Sequence, residues 1–136
     1  MKKILVSCVA LVTFASAEAY TQADRILDMQ KMAQAMQDIQ SGFFYNNLDI
    51  VKAGTEDLKK AVATIGPTSE DTNNTDVYEV WMNNNSAMTK RIQRNILQKT
   101  DVILQRFSNG DPTQALQEYS KITRECMKCH ISLRKW

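Results

Sequence analysis

Apolar residues recur every three or four positions along most of the chain, which is the spacing of one face of an α-helix. The clearest run alternates steps of three and four and comprises Leu48, Val51, Thr55, Leu58, Val62 and Ile65. Gly66-Pro67 ends this run, because glycine commonly caps a helix and proline cannot continue one. A heptad-like seam of this kind is typical of a helix in an antiparallel bundle.

A second helix is predicted before this run, starting at Thr21. Asp24 follows three positions later, which approximates a capping box. The predicted buried stripe of this helix is Ile26, Met29, Ala33, Met36 and Ile39. Gly42 and the aromatic residues at 43–45 are expected to end or bend the helix.

Two further helices are predicted in the second half of the chain. The first has the stripe Val77, Val80, Trp81, Asn84, Met88, Ile92, Ile96, Ile103 and Phe107, and is expected to run unbroken to Asn109-Gly110. The second begins after Asp111-Pro112, an N-cap followed by proline at the first helical position. Its stripe is Leu116, Tyr119, Ile122, Cys126, Cys129 and Leu133. No segment alternates with a period of two, so we expect an all-α protein, an antiparallel up-down-up-down four-helix bundle.

The first 17 residues have the pattern of an export signal. Lys2-Lys3 precede an apolar run over residues 4–14, and Ala15-Ser16-Ala17 fits the small-x-small cleavage rule. Cleavage after Ala19 is the alternative. We therefore expect a periplasmic protein with one domain over residues 18–136, and no stable membrane insertion, because no later apolar run is long enough to span a bilayer.

The distribution of charge argues against nucleic acid as a partner. The chain has 17 Lys and Arg against 15 Asp and Glu, so removal of the two signal lysines leaves the mature protein near neutral. The densest basic patch is Lys90, Arg91 and Arg94, which we interpret as a solvated helix face. No basic cluster is interleaved with aromatic residues, so nucleic acid is not an expected partner.

The segment Cys126-Met127-Lys128-Cys129-His130 is the C-x-x-C-H signature for covalent attachment of a c-type haem. Thiols three positions apart lie on one helix face and can add to the two vinyl groups of one porphyrin. His130 can then ligate the iron. A local disulfide or a redox-active dithiol is the alternative. Zinc is less favoured, because the mature chain has no further Cys or His to complete four ligands.

The sequence gives less information about the iron ligand opposite His130. His130 is the only histidine, so a second histidine ligand from the same chain is excluded. A methionine, an open position or an exogenous ligand are the alternatives. The first helix offers Met29, Met32 and Met36; Met29 and Met36 share its predicted buried stripe, and periodicity does not choose between these two. Methionine is also a flexible filler of protein cores.

The four predicted helices, Val80-Trp81 and the segment 126–134 together resemble class II c-type cytochromes, the cytochrome c′ family. In that family an arginine of the first helix is followed four residues later by the residue facing the distal side of the iron. Arg25 and Met29 match these positions, and methionine there implies the low-spin, six-coordinate branch.

The resemblance also implies a haem environment that includes Trp81 and the basic residue Arg134. Leu133 departs from the family, where tyrosine is common. Arg25 is expected to approach a haem propionate, with an ordinary surface arginine as the competing interpretation. Dimers are common in the family, so a homodimer is compatible with the resemblance.

Together these observations predict an exported electron carrier with one haem c, held by His130 and Met29, whose partners are redox proteins. The alternative function is binding of nitric oxide or carbon monoxide at an open or displaceable iron position. No catalytic residue is expected, because the sequence has no recognisable nucleophile constellation. Asn73-Asn74-Thr75 has the pattern of a glycosylation site, with a plain turn as the alternative.

Overall fold

A computed structural model of the chain describes residues 20–67 and 75–134. Within these residues the protein has five α-helices and no β-strand, which confirms the all-α class. They are α1 (Gln22–Phe44), α2 (Leu48–Val62), α3 (Val77–Asn84), α4 (Ser86–Ser108) and α5 (Pro112–Arg134). The expected export signal over residues 1–17 and Asn73 lie outside the described residues. None of the described helices is long and apolar enough to cross a bilayer.

Side chains cap the helices where the sequence favours it. Thr21 and Asp24 form the predicted capping box, in which each side chain accepts a hydrogen bond from the backbone of the other residue. Asn47 and Asp76 cap α2 and α3 in the same way, by accepting from backbone N–H groups of the first turn. These bonds satisfy donors that have no partner within the helix.

The four long helices form two hairpins that pack on each other. Residues 45–47 join α1 to α2, and residues 109–111 join α4 to α5. Gln93 Nε2 in the first half of α4 donates to the carbonyl of Val62 at the end of α2, at 3.1 Å. The ring of Phe43 at the end of α1 contacts Phe107 at the end of α4, with centroids 5.4 Å apart. Hence α1 and α4 run in one direction, and α2 and α5 in the other.

Gly54 allows a close approach between α1 and α2. A Cβ atom at this position would lie 2.8 Å from the backbone nitrogen of Ile39 and 2.9 Å from its Cγ1 atom. Such distances are shorter than van der Waals contact, so only glycine fits without a shift of one helix. The two helices of the first hairpin therefore pack backbone against backbone at this level.

The predicted buried stripe of α1 was wrong at Ile26, Met29 and Ala33, which are exposed. Ile39 is buried as predicted, and Met36 is half-buried and packs against the core. The fully buried residues of the helix are Asp28, Met32, Ala35, Ile39 and Gly42. Ile26 and Met29 are 54% and 36% exposed. The face that packs against α2 is thus rotated from the apolar stripe. Periodicity alone does not distinguish a face packed on a neighbouring helix from one that borders a cavity.

The prediction of one unbroken helix from Val77 to Phe107 was also wrong. Asn85 has φ −116° and ψ 20°, which separates α3 from α4. Its side-chain Nδ2 donates to the carbonyl of Trp81 at 2.9 Å, a local bond of the kind with which asparagine competes against helix continuation. In α3 the buried residues are Glu79 and Met82, whereas the stripe residues Val77 and Val80 are exposed.

Candidate functional site

The two motif cysteines lie on the inward side of α5, as their spacing predicts. Cys129 is buried, and Cys126 is half-buried and packs against the hydrophobic core. Both are free thiols. They continue the face that begins with the fully buried Ala115 and Ile122, so the same periodicity that buries the first half of α5 directs both sulfur atoms inward.

The surroundings of these thiols favour their uncharged form. Burial raises the pKa of Cys126 and of Cys129 above the usual value for a thiol. Redox-active dithiols depend on a lowered thiol pKa, commonly at the beginning of a helix. The electrostatics therefore disfavour the redox-dithiol interpretation.

Two adjoining cavities meet at the inward side of α5. The first, about 390 Å³, is bordered by α1, α3, α5 and the segment 64–66. The second, about 330 Å³, is bordered by α1, α4, α5 and Ile65. Both volumes fall within the range of small-molecule sites, roughly 300–1,000 Å³. The residues that border both cavities are Met29, Met32, Ala33, Ile65, Cys129 and His130.

Six of the seven site residues predicted from the sequence border these cavities. Cys129, His130 and Met29 border both; Arg25 and Arg134 border the first only, and Cys126 the second only. Trp81 borders neither, and instead packs partly buried against the hydrophobic core. The fold thus brings the beginning of α1 and the end of α5 together at the two cavities, whereas Trp81 packs against the core outside them.

All three candidate methionines of α1 border the second cavity. Met29 and Met32 also border the first, whereas Met36 does not. Met32 is buried, and Met29 is the most exposed of the three. Met29 and Met32 therefore border both cavities together with His130, and Met36 borders one of them with it.

Arg25 is not an ordinary surface residue, so that interpretation was wrong. Its side chain is 11% exposed and forms ion pairs with the carboxylates of Glu79 and Asp76. The guanidinium also lies over the ring of Tyr20, 5.4 Å from the centroid. Its Nε atom is buried and has no hydrogen-bond acceptor among the described residues.

A second polar pair lies beside Arg25. Tyr20 Oη donates to Asp28 Oδ2 at 2.6 Å, and Lys31 Nζ donates to Oδ1 of the same carboxylate at 3.1 Å. Burial, reinforced by the bond to Asp28, raises the pKa of Tyr20 to about 12. For Asp28 burial acts in the opposite sense, but hydrogen bonds led by Tyr20 outweigh it and lower the carboxyl pKa. Neither this pair nor Glu79 was predicted from the sequence.

No zinc-type cluster is found in residues 20–67 and 75–134, where no group of three or more His, Cys, Asp or Glu side chains could hold a metal ion. Haem iron does not need such a cluster, because the porphyrin supplies four ligands and the protein only the axial ones. Comparison with protein-family models, with characterised proteins and with solved structures finds no match.

Proposed function

We propose that the chain is an exported c-type cytochrome with one haem that transfers electrons. Cys126 and Cys129 would hold the haem by thioether bonds, His130 would ligate the iron, and Met29 would be the opposite ligand. The observation that supports this most is that Met29, Cys129 and His130 border the same two cavities. Residues from the two ends of the described chain thereby meet around the C-x-x-C-H motif.

The residues around the motif fit a covalently bound haem. Two free thiols lie on one inward face of α5, as attachment to the two vinyl groups of one porphyrin requires. Arg25 borders the first cavity, and its buried Nε has no acceptor among the described residues, so a haem propionate could pair with this guanidinium. Arg134 borders the same cavity and offers a second cation.

When bound, the haem iron supplies one-electron exchange between its ferrous and ferric states. The chain's part is to hold and shield the group. The thioether of Met29 is a soft ligand, and His/Met ligation raises the reduction potential relative to harder ligands. Ile92 and Ile96, both almost fully buried, border the second cavity and exclude water from it. No proton transfer or substrate is needed.

One observation favours the alternative function, binding of nitric oxide or carbon monoxide. His130 is the only histidine, so for the opposite position of the iron the chain offers only the flexible thioether side chains of methionine. A ligand of this kind can be displaced from iron, which would open the distal position to a diatomic gas. Whether Met29 stays bound therefore decides between an electron carrier and a gas-binding protein.

Optical spectra of the purified haem-loaded protein test the proposal. We would record the ferric and dithionite-reduced forms, with and without carbon monoxide, for the wild type and for Met29→Ala. Low-spin bands that ignore carbon monoxide in the wild type, and become high-spin and reactive in Met29→Ala, are expected. Met32→Ala and Met36→Ala are the matched controls and should stay low-spin.

Three other outcomes would change the conclusion. A high-spin wild type that binds carbon monoxide supports the gas-binding function. A low-spin spectrum that is lost only in Met32→Ala moves the ligand to Met32. Protein that carries no covalent haem after export with a haem-attachment system overturns the proposal altogether.

A further inference from the structure

The two hairpins of the bundle differ in charge. Helices α1, α2 and α3 together carry five basic and seven acidic residues. In contrast, α4 carries five basic residues and one acidic residue, and α5 carries four basic and two acidic residues. The mature chain is near neutral, so the positive charge is a local property of the second hairpin.

The basic residues of α4 lie at the level of the C-x-x-C-H motif. The short connection at 109–111 makes α4 and α5 antiparallel, so residues equally distant from it are neighbours. Asn95 of α4 donates a hydrogen bond to the buried carboxylate of Glu125 on α5, which confirms this register. This bond and the one from Lys128 outweigh the effect of burial and lower the pKa of the Glu125 carboxyl. Residues 90–94 of α4 therefore lie beside residues 126–130 of α5.

The outward surface at this level is basic with an apolar part. Lys90, Arg91 and Arg94 are exposed on one face of α4, and none of them forms an ion pair within the described residues. The same holds for Arg124 on α5. Met127 lies three and Ile131 seven positions after Arg124, on the same face of α5, and they are 45% and 51% exposed. We call these six residues the basic face.

We propose that the basic face docks the acidic surface of the protein that exchanges electrons with this chain. The inference rests on the proposed function. Exposed apolar residues beside unpaired charges are the composition of a transient protein interface, with an apolar centre and a charged rim. The α5 residues of the basic face lie on the outer side of this helix, whose inner side carries Cys126, Cys129 and His130. A partner docked on the basic face therefore lies near the haem site.

A membrane surface is the less favoured occupant. Helices that bind the bilayer interface present large apolar residues, commonly Trp, Phe and Leu, opposite their basic residues. The basic face contains no aromatic residue and only two large apolar ones, Met127 and Ile131. A partner of complementary charge accounts for both the cations and their position.

The test uses the haem-loaded protein and a charge-reversal double variant, Arg91→Glu with Arg94→Glu. The control is Lys52→Glu with Arg106→Glu, which changes the net charge equally at exposed positions outside the basic face. Calorimetric titration with poly-L-glutamate measures binding to an acidic polypeptide. Vesicles of phosphatidylglycerol and phosphatidylcholine measure binding to an anionic membrane. Stopped-flow oxidation of the reduced protein by hexacyanoferrate(III) measures the rate of electron transfer to an anion, and this rate depends on the charge near the site where the electron leaves.

We expect the Arg91/Arg94 variant to bind poly-L-glutamate about tenfold more weakly and to be oxidised about tenfold more slowly at low salt, because charges at the rim of an interface govern steering. The control should change less than about twofold, and the difference should shrink at high ionic strength. Equal losses in both variants overturn the proposal, as does binding to the vesicles without binding to poly-L-glutamate. Absence of haem overturns the proposed function instead, so the two failures are distinguishable.

Discussion

Arg25 and Glu79 form an ion pair across the fold in which neither side chain has more than 11% of its surface exposed. The pair joins the first turn of α1 to the short helix α3, and 54 positions separate the two residues in the sequence. Charges that are this well shielded depend on each other, because removal of one leaves the other buried without full compensation. The pair therefore controls both the stability of α3 and the position of Arg25 at the first cavity.

From this pair we predict that Glu79→Gln lowers the free energy of unfolding by about 3 kcal/mol, near the lower end for a broken buried pair because Asp76 also contacts Arg25. Urea unfolding followed by circular dichroism measures the change. Asp101→Asn is the control, since it breaks the exposed pair with Lys59 and should cost less than about 1 kcal/mol. Similar losses in both variants would contradict the structural role assigned to Glu79.

Gly54→Ala tests the close approach of α1 and α2. The added methyl group would meet the backbone and Cγ1 of Ile39, and overpacking of this kind costs about 1–3 kcal/mol. This cost should exceed the gain of up to about 1 kcal/mol in helix propensity. We therefore expect a net loss of about 1–2 kcal/mol in chemical denaturation. The exposed neighbour Ala53 calibrates the propensity effect through Ala53→Gly, and a Gly54→Ala variant more stable than the wild type would refute the close packing.

Tyr20 makes stability fall at alkaline pH. An unfolded tyrosine has a pKa of 10.0, and burial with the bond to Asp28 raises the folded value to about 12. The folded state thus keeps its proton where the unfolded chain has lost it, so this contribution is complete below pH 10 and disappears as the pH rises through 12. In Tyr20→Phe the decline between pH 10 and 12 should be smaller, and the hydrogen bond lost at neutral pH should cost about 1 kcal/mol.

Denaturation at a series of pH values, together with the ultraviolet titration of tyrosinate, measures both effects. Tyr45→Phe is the matched control, because Tyr45 is 73% exposed. It should leave the alkaline decline unchanged. If stability declines equally between pH 10 and 12 in Tyr20→Phe and in the wild type, the Tyr20–Asp28 bond does not contribute to this decline.

Single and double replacement of the motif cysteines tests attachment. Cys126→Ala and Cys129→Ala should each retain haem through the remaining thioether, whereas the double variant should lose all covalent haem. A haem stain after denaturing electrophoresis, which removes non-covalent haem, reads out this difference. Met127→Ala leaves both sulfur atoms in place and should bind haem as the wild type does. Covalent haem in the double variant would show that another residue carries it.

Local signals in the sequence predicted much of the fold. The capping box at Thr21 and the inward spacing of Cys126 and Cys129 depend on residues within a few positions of one another. Such interactions hold largely regardless of the rest of the molecule, and the structure contains both of them. The predicted stop at Gly66-Pro67 was less accurate, because α2 already ends at Val62.

The features that were missed depend on distant partners. Glu79 looks like a surface residue until Arg25 is placed beside it, and Gly54 is unremarkable in sequence until Ile39 lies against it. The face of α1 that packs on α2 was misassigned because a cavity wall is as apolar as a helix contact. Only Asn85 offered a local hint, since asparagine commonly ends helices.

The burial of Cys129 implies an order of events during maturation. Cys129 is buried on the wall of the two cavities, where a large attachment enzyme has little access to its thiol once α5 has docked. If haem is joined to this chain, we expect the bonds to form while the end of α5 is still undocked. Rapid folding and haem attachment would then compete. Variants in which α5 docks faster should therefore yield a larger fraction of haem-free protein.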